Sequence, residues 1–220
     1  QRQMCIRDRI RCASESGLSL FGISDHGPAT SSSAKPSYFQ SLKLADRDRF
    51  GIRVLYGAEL NIINTAGDVD LDDDTLSTLD YAIISIHPPI FKPYHDKDLS
   101  SAYIRAMDHP KVRFLGHIDD ARFPVDFEYL LEIAKEKHVY PEINNGSLMP
   151  DAYRINGQEN CRRILSICKK LDLPVLLSSD SHGKKNIGNM QYIFPLLEEL
   201  DFPAHLVLNS DLSALSDIIR

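Results

Sequence analysis

Asp25 and His26 in GISDHG, Glu59 in YGAELN, His87 in ISIHPP, His117 in FLGHID, and Asp180 with His182 in LLSSDSHG share one property: each follows a short apolar run at its C-terminal end. Imidazole and carboxylate ligands without thiolates suit Zn²⁺, Mn²⁺ or Fe²⁺, and a carboxylate can bridge two ions where an imidazole cannot. Several histidines with two or more carboxylates is the composition expected of a multinuclear hydrolytic site. Such a site lowers the pKa of a bound water from about 15.7 towards about 7 and neutralises the oxygens of an in-line phosphoryl displacement. Asp180 and His182 would supply two ligands from one loop. Singly, each residue also has a structural reading: a lone His at a strand end is commonly a hydrogen-bonded structural residue, Glu59 could cap a helix or pair with an arginine, and Asp25 could orient its own loop. The joint pattern is harder to dismiss, because four of the eight histidines sit at such ends beside two carboxylates. His95, His109, His138 and His205 fall in expected loops or helices and read as solvated or packing residues.

The elements that must position these side chains follow from the apolar pattern. Runs at 20–24, 53–59, 81–86, 113–116, 140–143 and 174–178 show no clean polar alternation and read as buried parallel strands. Helical periods lie between them. Leu99, Ala102, Tyr103, Ala106 and Met107 share a face ahead of Pro110; Phe127, Leu130, Leu131 and Ala134 do so after Asp126, a plausible cap. Cys161, Ile164, Leu165, Cys168 and Leu171 form a third stripe that ends before Pro174. The helix expected between Ser37 and Phe50 is less regular, Pro195 kinks or delays the next one, and the strand at Pro141 is expected to begin beside it. Strands and helices alternating in this way favour an α/β barrel or a doubly wound sheet, in which the strand C-termini share one ligand-binding face.

A chain of 220 residues with 43% hydrophobic content can fill one core, so a single domain over 1–220 is expected. A formal charge of −6 disfavours general binding to a nucleic-acid backbone. The four cysteines form no CxxC pair, so neither disulfides nor a thiolate zinc knuckle is expected, and Cys161 and Cys168 read as core residues. No apolar run approaches a membrane span and none forms a signal-peptide core, so a soluble cytoplasmic protein is expected.

GISDHGP, YGAELNI, the His after ISI, LGHI, EINNGS with the downstream QENCRRI, and SSDSHG together resemble, in order and spacing, the PHP (polymerase and histidinol phosphatase) superfamily, and within it the YcdX-like bacterial phosphatases. The resemblance implies a distorted (β/α)7 barrel, TIM-barrel-like, with up to three zinc or manganese ions at the strand C-termini. It also implies a phosphatase or phosphoesterase that hydrolyses a small phosphorylated substrate by metal-activated water. On this likeness His26 and His182 match ligands of one ion, Glu59 the carboxylate bridging the other two, His87 and His117 complete one of those, and Asp180 serves the remaining ion. Glu59 and Asp180 are the carboxylates expected to carry catalysis. Arg154 stands where a cation could meet substrate phosphate or could be a plain surface arginine; Asn144 and Asn145 read as loop-holding residues.

The departure from the family is at the start. Members open with a strand bearing an HxH motif, whereas residues 1–9, QRQMCIRDR, contain no His, no strand pattern and no tidy amphipathic period. The first barrel strand is expected to be missing and residues 1–9 to be foreign to the family, with at most one ion, at Glu59, His87 and His117, held tightly. The competing readings are a histidinol phosphatase, a degenerate PHP module that binds metal without catalysis, and another barrel metallohydrolase. Neither nucleic acid nor membrane is an expected partner, and a strand gap could drive association.

Overall fold

The computed structural model describes residues 2–31, 33–92 and 97–219, with residues 2–5 described by backbone alone. Its strands are β1 (Leu20–His26), β2 (Asp48–Arg49), β3 (Ile52–Asn61), β4 (Tyr81–Ser85), β5 (Val112–Leu115), β6 (Tyr140–Asn144) and β7 (Leu176–Ser178). The helices are α1 (Arg2–Glu15), α2 (Pro36–Ser41), α3 (Asp73–Leu76), α4 (Ser100–Ala106), α5 (Phe127–Glu136), α6 (Gly157–Leu171), α7 (Ile193–Glu199) and α8 (Leu212–Ile219). Six strands lie parallel in the order β1-β3-β4-β5-β6-β7, and β2 adds antiparallel to β3. The sheet curls into a half-barrel with helices outside, the distorted TIM-like fold expected, and its open seam falls between β1 and β7.

The strands are apolar on both faces because the core helices cover one side and the barrel interior the other. β3 shows this most fully: every residue but Arg53 is buried. Ile164, Leu165 and Cys168 of α6, Leu130, Leu131 and Ala134 of α5, and Ala102 and Tyr103 of α4 pack on the outer face. Inside, a second cluster joins Leu55, Tyr81, Ile83 and Phe114 to Leu208, Leu215 and Ile219, so α8 plugs the N-terminal end of the half-barrel.

Local signals set the element ends. Asp126 caps α5 by accepting from the Tyr129 amide at 3.1 Å. Pro195 lies in the first turn of α7, where its missing N–H costs no helical bond. β6 begins at Tyr140, beside Pro141. The irregular stretch after Ser37 divides into α2, a 3₁₀ turn at Leu42–Leu44, and β2.

Residues 2–9, which carry neither a strand pattern nor a tidy amphipathic period, form the first turns of α1. Ile6, Ile10 and Ala13 recur at helical spacing and are buried in the main core, while Arg7 and Arg11 lie over the Phe50 ring. Three modest side chains make a seam too thin to stand out among the arginines.

The open seam is partly closed at β7. The side chain of Asn209 accepts from the Leu177 amide at 2.7 Å and donates to the Leu177 carbonyl at 3.0 Å, as a neighbouring strand would. Val175 also bridges the segment at Val207. A cavity of ≈ 620 Å³ opens beside the seam, with Leu20, Phe21 and Leu176 along its wall and His26, Glu59, His117, Asp180 and His182 at its rim.

Candidate metal centre

Strand register brings the rim together. His26 at the end of β1 is the direct partner of Glu59 on β3, and Asn61 is the partner of Ser85 on β4. His87 and His117 leave β4 and β5 two residues beyond the strand ends. His117 and Asp180 both adopt left-handed backbone, at φ 56° and 43°. For such non-glycine residues that conformation costs of order 1–3 kcal/mol and is typical of positions where side-chain aim is the priority.

Glu59 is the hub. Its Oε1 lies 3.1 Å from His87 Nε2 and 2.9 Å from His117 Nε2, and its Oε2 lies 3.2 Å from His26 Nδ1. The ligand atoms of His26, Glu59 and His87 all fall within 4.8 Å of one another. Ser85 donates to Glu59 Oε1 at 3.0 Å. Burial by itself would raise the Glu59 carboxyl, but His117 and His87 outweigh it and hold the carboxyl well below the usual range, so Glu59 is an anion. Burial depresses His87, leaving a neutral imidazole suited to ligation. Burial and Arg154 act against charge on His117, yet Glu59 and then Glu142 prevail and push it up to about 9.

The second half of the rim comes from β7. Asp180 accepts from Asn144 Nδ2 and Arg154 Nη2, each at 3.0 Å, and its other oxygen lies 3.3 Å from His182 Nε2. Burial would raise the Asp180 carboxyl; the His182 bond, His117 and Arg154 bring it far below its ordinary value. His182 is correspondingly raised by its bond to Asp180. The ring centroids of His26 and His182 are 5.9 Å apart. All six residues expected as ligands therefore line one centre.

Whether these residues suit a cation can be judged from their own contacts. His26 Nδ1 and His87 Nε2 are buried and, although close to Glu59, have no aligned hydrogen bond among the described residues. Two imidazole nitrogens without a hydrogen-bond partner thus converge on a buried carboxylate, a donor set that fits a divalent ion.

Arg154 proves not to be a surface residue: its side chain is 15% exposed and faces His117 and Asp180. Asn144 holds its loop, accepting from Gly146 N, and also fixes Asp180. Asn145 accepts from the Tyr192 amide and ties the loop to the approach to α7. Asp25 is taken up by Tyr38 at 2.5 Å and Arg9 at 3.4 Å. His109 and His205 pair with Asp73 and Asp172 away from the centre, and His138 follows α5; His95 lies outside the described residues. Cys161 and Cys168 are fully buried core residues.

Several contributors were not foreseen. Asn61 faces His87 Nδ1 at 2.9 Å and is itself anchored by Asp70, which leaves Nε2 to point at Glu59. Glu142 on β6 backs His117 Nδ1 at 3.6 Å, and burial pushes its carboxyl up. Only the polarity of Asn61, Ser85 and Glu142 within apolar strands hinted at such roles.

Comparison with known proteins places these features in context. The chain is 35% identical over 204 residues to a probable phosphatase of Clostridium acetobutylicum, covering 93% of this chain and 83% of that protein. It is 31% identical over 215 residues to a probable phosphatase of Acetivibrio thermocellus, covering 98% and 88% respectively. No family model matches the chain. Among solved structures, the fold is shared with the histidinol phosphate phosphatase of Lactococcus lactis, crystallised with zinc, L-histidinol and phosphate. The TM-score is 0.58 at 18% identity, covering 90% of this chain and 88% of that one. It is also shared with a chain of an archaeal ribonuclease P complexed with mature tRNA, at TM-score 0.61 and 17% identity, covering 97% and 86%.

Proposed function

The chain belongs to the family of bacterial proteins described as probable phosphatases, and from that premise we propose that it is a metal-dependent phosphatase of the PHP superfamily, in its YcdX-like branch, that hydrolyses a small phosphomonoester. The observation that carries this reading is the buried Glu59 carboxylate, with His26 at one oxygen and His87 and His117 at the other. Divalent zinc or manganese held there would supply Lewis acidity towards phosphoryl oxygens and activate a water.

The chain's own residues do the rest. Glu59 is kept anionic, and Asn61 holds the His87 ring so that Nε2 faces the carboxylate. Asp180, also an anion, is fixed by Asn144 and supports His182 at the solvent side, where the exposed imidazole can exchange a proton with a leaving group. Arg154 brings a permanent positive charge to the same rim, suited to a phosphate oxygen.

The test is metal content after dialysis, alongside turnover of p-nitrophenyl phosphate and a panel of phosphorylated metabolites including histidinol phosphate, with Mn²⁺ or Zn²⁺ added. Metal-stimulated turnover that Glu59→Ala lowers by more than the roughly 10–100-fold typical of a ligand's supporting partner is expected. Unchanged turnover in that variant would mean the reaction occurs elsewhere. Bound metal without turnover on any phosphomonoester would favour the non-catalytic module.

A further inference from the structure

Arg154 stands in the space on which two of the proposed ligands converge. Its Nη2 is 2.8 Å from His117 Nε2 and 3.0 Å from Asp180 Oδ2, and its Nη1 donates to Ser147 Oγ at 3.3 Å. Arginine can only donate, while the same His117 Nε2 also lies 2.9 Å from Glu59 Oε1. A zinc ion would sit about 2.0–2.2 Å from a ligating nitrogen and carboxylate oxygen. That is inside the contacts Nη2 now makes, so an ion and the guanidinium cannot both engage His117 and Asp180.

A second observation shows where the guanidinium can go. Asp119 is 1% exposed, and neither carboxylate oxygen has a hydrogen-bond partner among the described residues. A buried carboxylate left in that state is costly. Its Oδ2 lies 3.1 Å from the point that a Cβ on Gly157 would occupy, and Ser147 Cβ lies 3.2 Å from the same point. Ser147 is the residue whose hydroxyl already receives Arg154 Nη1. An unsatisfied acceptor therefore lies one neighbour away from a donor that ligation would displace, with Gly157 bringing no side chain between Asp119 and Ser147.

We propose that Arg154 is a two-position cation: in the metal-free protein it occupies the space between His117 and Asp180, and when the centre is loaded its guanidinium turns onto Asp119. The inference rests on the metal-centre reading above. Arg154 is then a competitor of the ion, and Asp119 favours the loaded state by receiving the displaced charge. From Asp119 the arginine stays beside the rim, free of the ligands and available to a phosphate oxygen.

Binding of Zn²⁺ alone and of Mn²⁺ alone to the dialysed full chain, read by competition with a chromogenic chelator, separates these roles without recourse to turnover. Arg154→Met is expected to tighten Kd by about tenfold or more, and Asp119→Asn to loosen it by a smaller factor, because the Asp119 charge already attracts the guanidinium where it now stands and would gain a hydrogen bond to it only in the loaded state. In the Arg154→Met background, Asp119→Asn should change nothing. Weaker or unchanged binding by Arg154→Met overturns the proposal, as does an Asp119→Asn effect that persists in the double variant. If Arg154→Met does not fold, Asp119→Asn decides by itself, and an unchanged Kd refutes the switch. A wild-type chain that takes up neither ion overturns the metal-centre reading and this inference with it; a wild type that binds while the variants do not shift overturns this inference alone.

Discussion

The coupling of His117 to Glu59 makes the metal-free protein sensitive to mild alkali. His117 is buried, 2.9 Å from Glu59, and pushed up to about 9 in the folded chain; an unfolded histidine titrates near 6.5. A group raised in this way contributes stability that is fully present below about 6.5 and is lost as pH rises through about 9. The gap between the two values, at about 1.36 kcal/mol per pH unit, amounts to roughly 3 kcal/mol, a large part of a typical domain's stability. The depressed Glu59 belongs to the same pair, so its contribution is not added again; it sets the acid limit, where stability falls as Glu59 is protonated. His182, raised by its bond to Asp180 but largely exposed, acts in the same direction more weakly.

Urea unfolding of the dialysed protein at pH values from 6 to 10 tests this directly. The unfolding free energy should fall by about 3 kcal/mol between pH 6.5 and 9.5, and His117→Gln should abolish most of that slope. Saturating Zn²⁺ should flatten it too, because the ligating nitrogen no longer carries the proton. A metal-free profile that is flat from 6.5 to 9.5, or a slope unaltered in His117→Gln, would show that the His117–Glu59 pair does not have the strength assigned to it.

Two further substitutions probe the support around the centre. Asn61→Ala removes the partner of His87 Nδ1 and should weaken Zn²⁺ affinity about 10–100-fold in a chelator competition, with circular dichroism unchanged. Gly116→Ala would place a Cβ 2.4 Å from Ser85 Oγ and 2.8 Å from Ile83 Cγ2; the variant should unfold about 1–3 kcal/mol more easily in urea, and the displaced Ser85 hydroxyl should cost metal affinity as well.

Much of the fold was legible because its strands are buried on both faces. Continuous apolar runs such as YAIIS and RVLYGAEL need no partner to be recognised, and their six positions match β1 and β3–β7 within a few residues. The outer helices were legible from apolar stripes, as in α5 and α6. Helix α1 was not, because Ile6, Ile10 and Ala13 form a seam one side chain wide within a run of arginines. Helix α8 went unnoticed for another reason: its buried residues, Leu215 and Ile219, are few and meet the barrel interior, a contact with no local signature. The rim of imidazoles and carboxylates was legible because strand C-termini in parallel folds share a face. The groups that aim it were not. Asn61, Ser85 and Glu142 act through partners on or after other strands, and whether a polar strand residue faces the centre depends on register that only the folded sheet fixes. Arg154 had two readings from its position alone; its burial against Asp180 and His117 removes the surface one.

The centre itself can be located by anomalous scattering at the zinc edge from crystals of the dialysed, zinc-soaked protein. A peak about 2.0–2.2 Å from a Glu59 carboxylate oxygen and from the Nε2 atoms of His87 and His117 is the expected result. Zinc bound only outside this rim, or a rim without density at saturating zinc, would contradict the account.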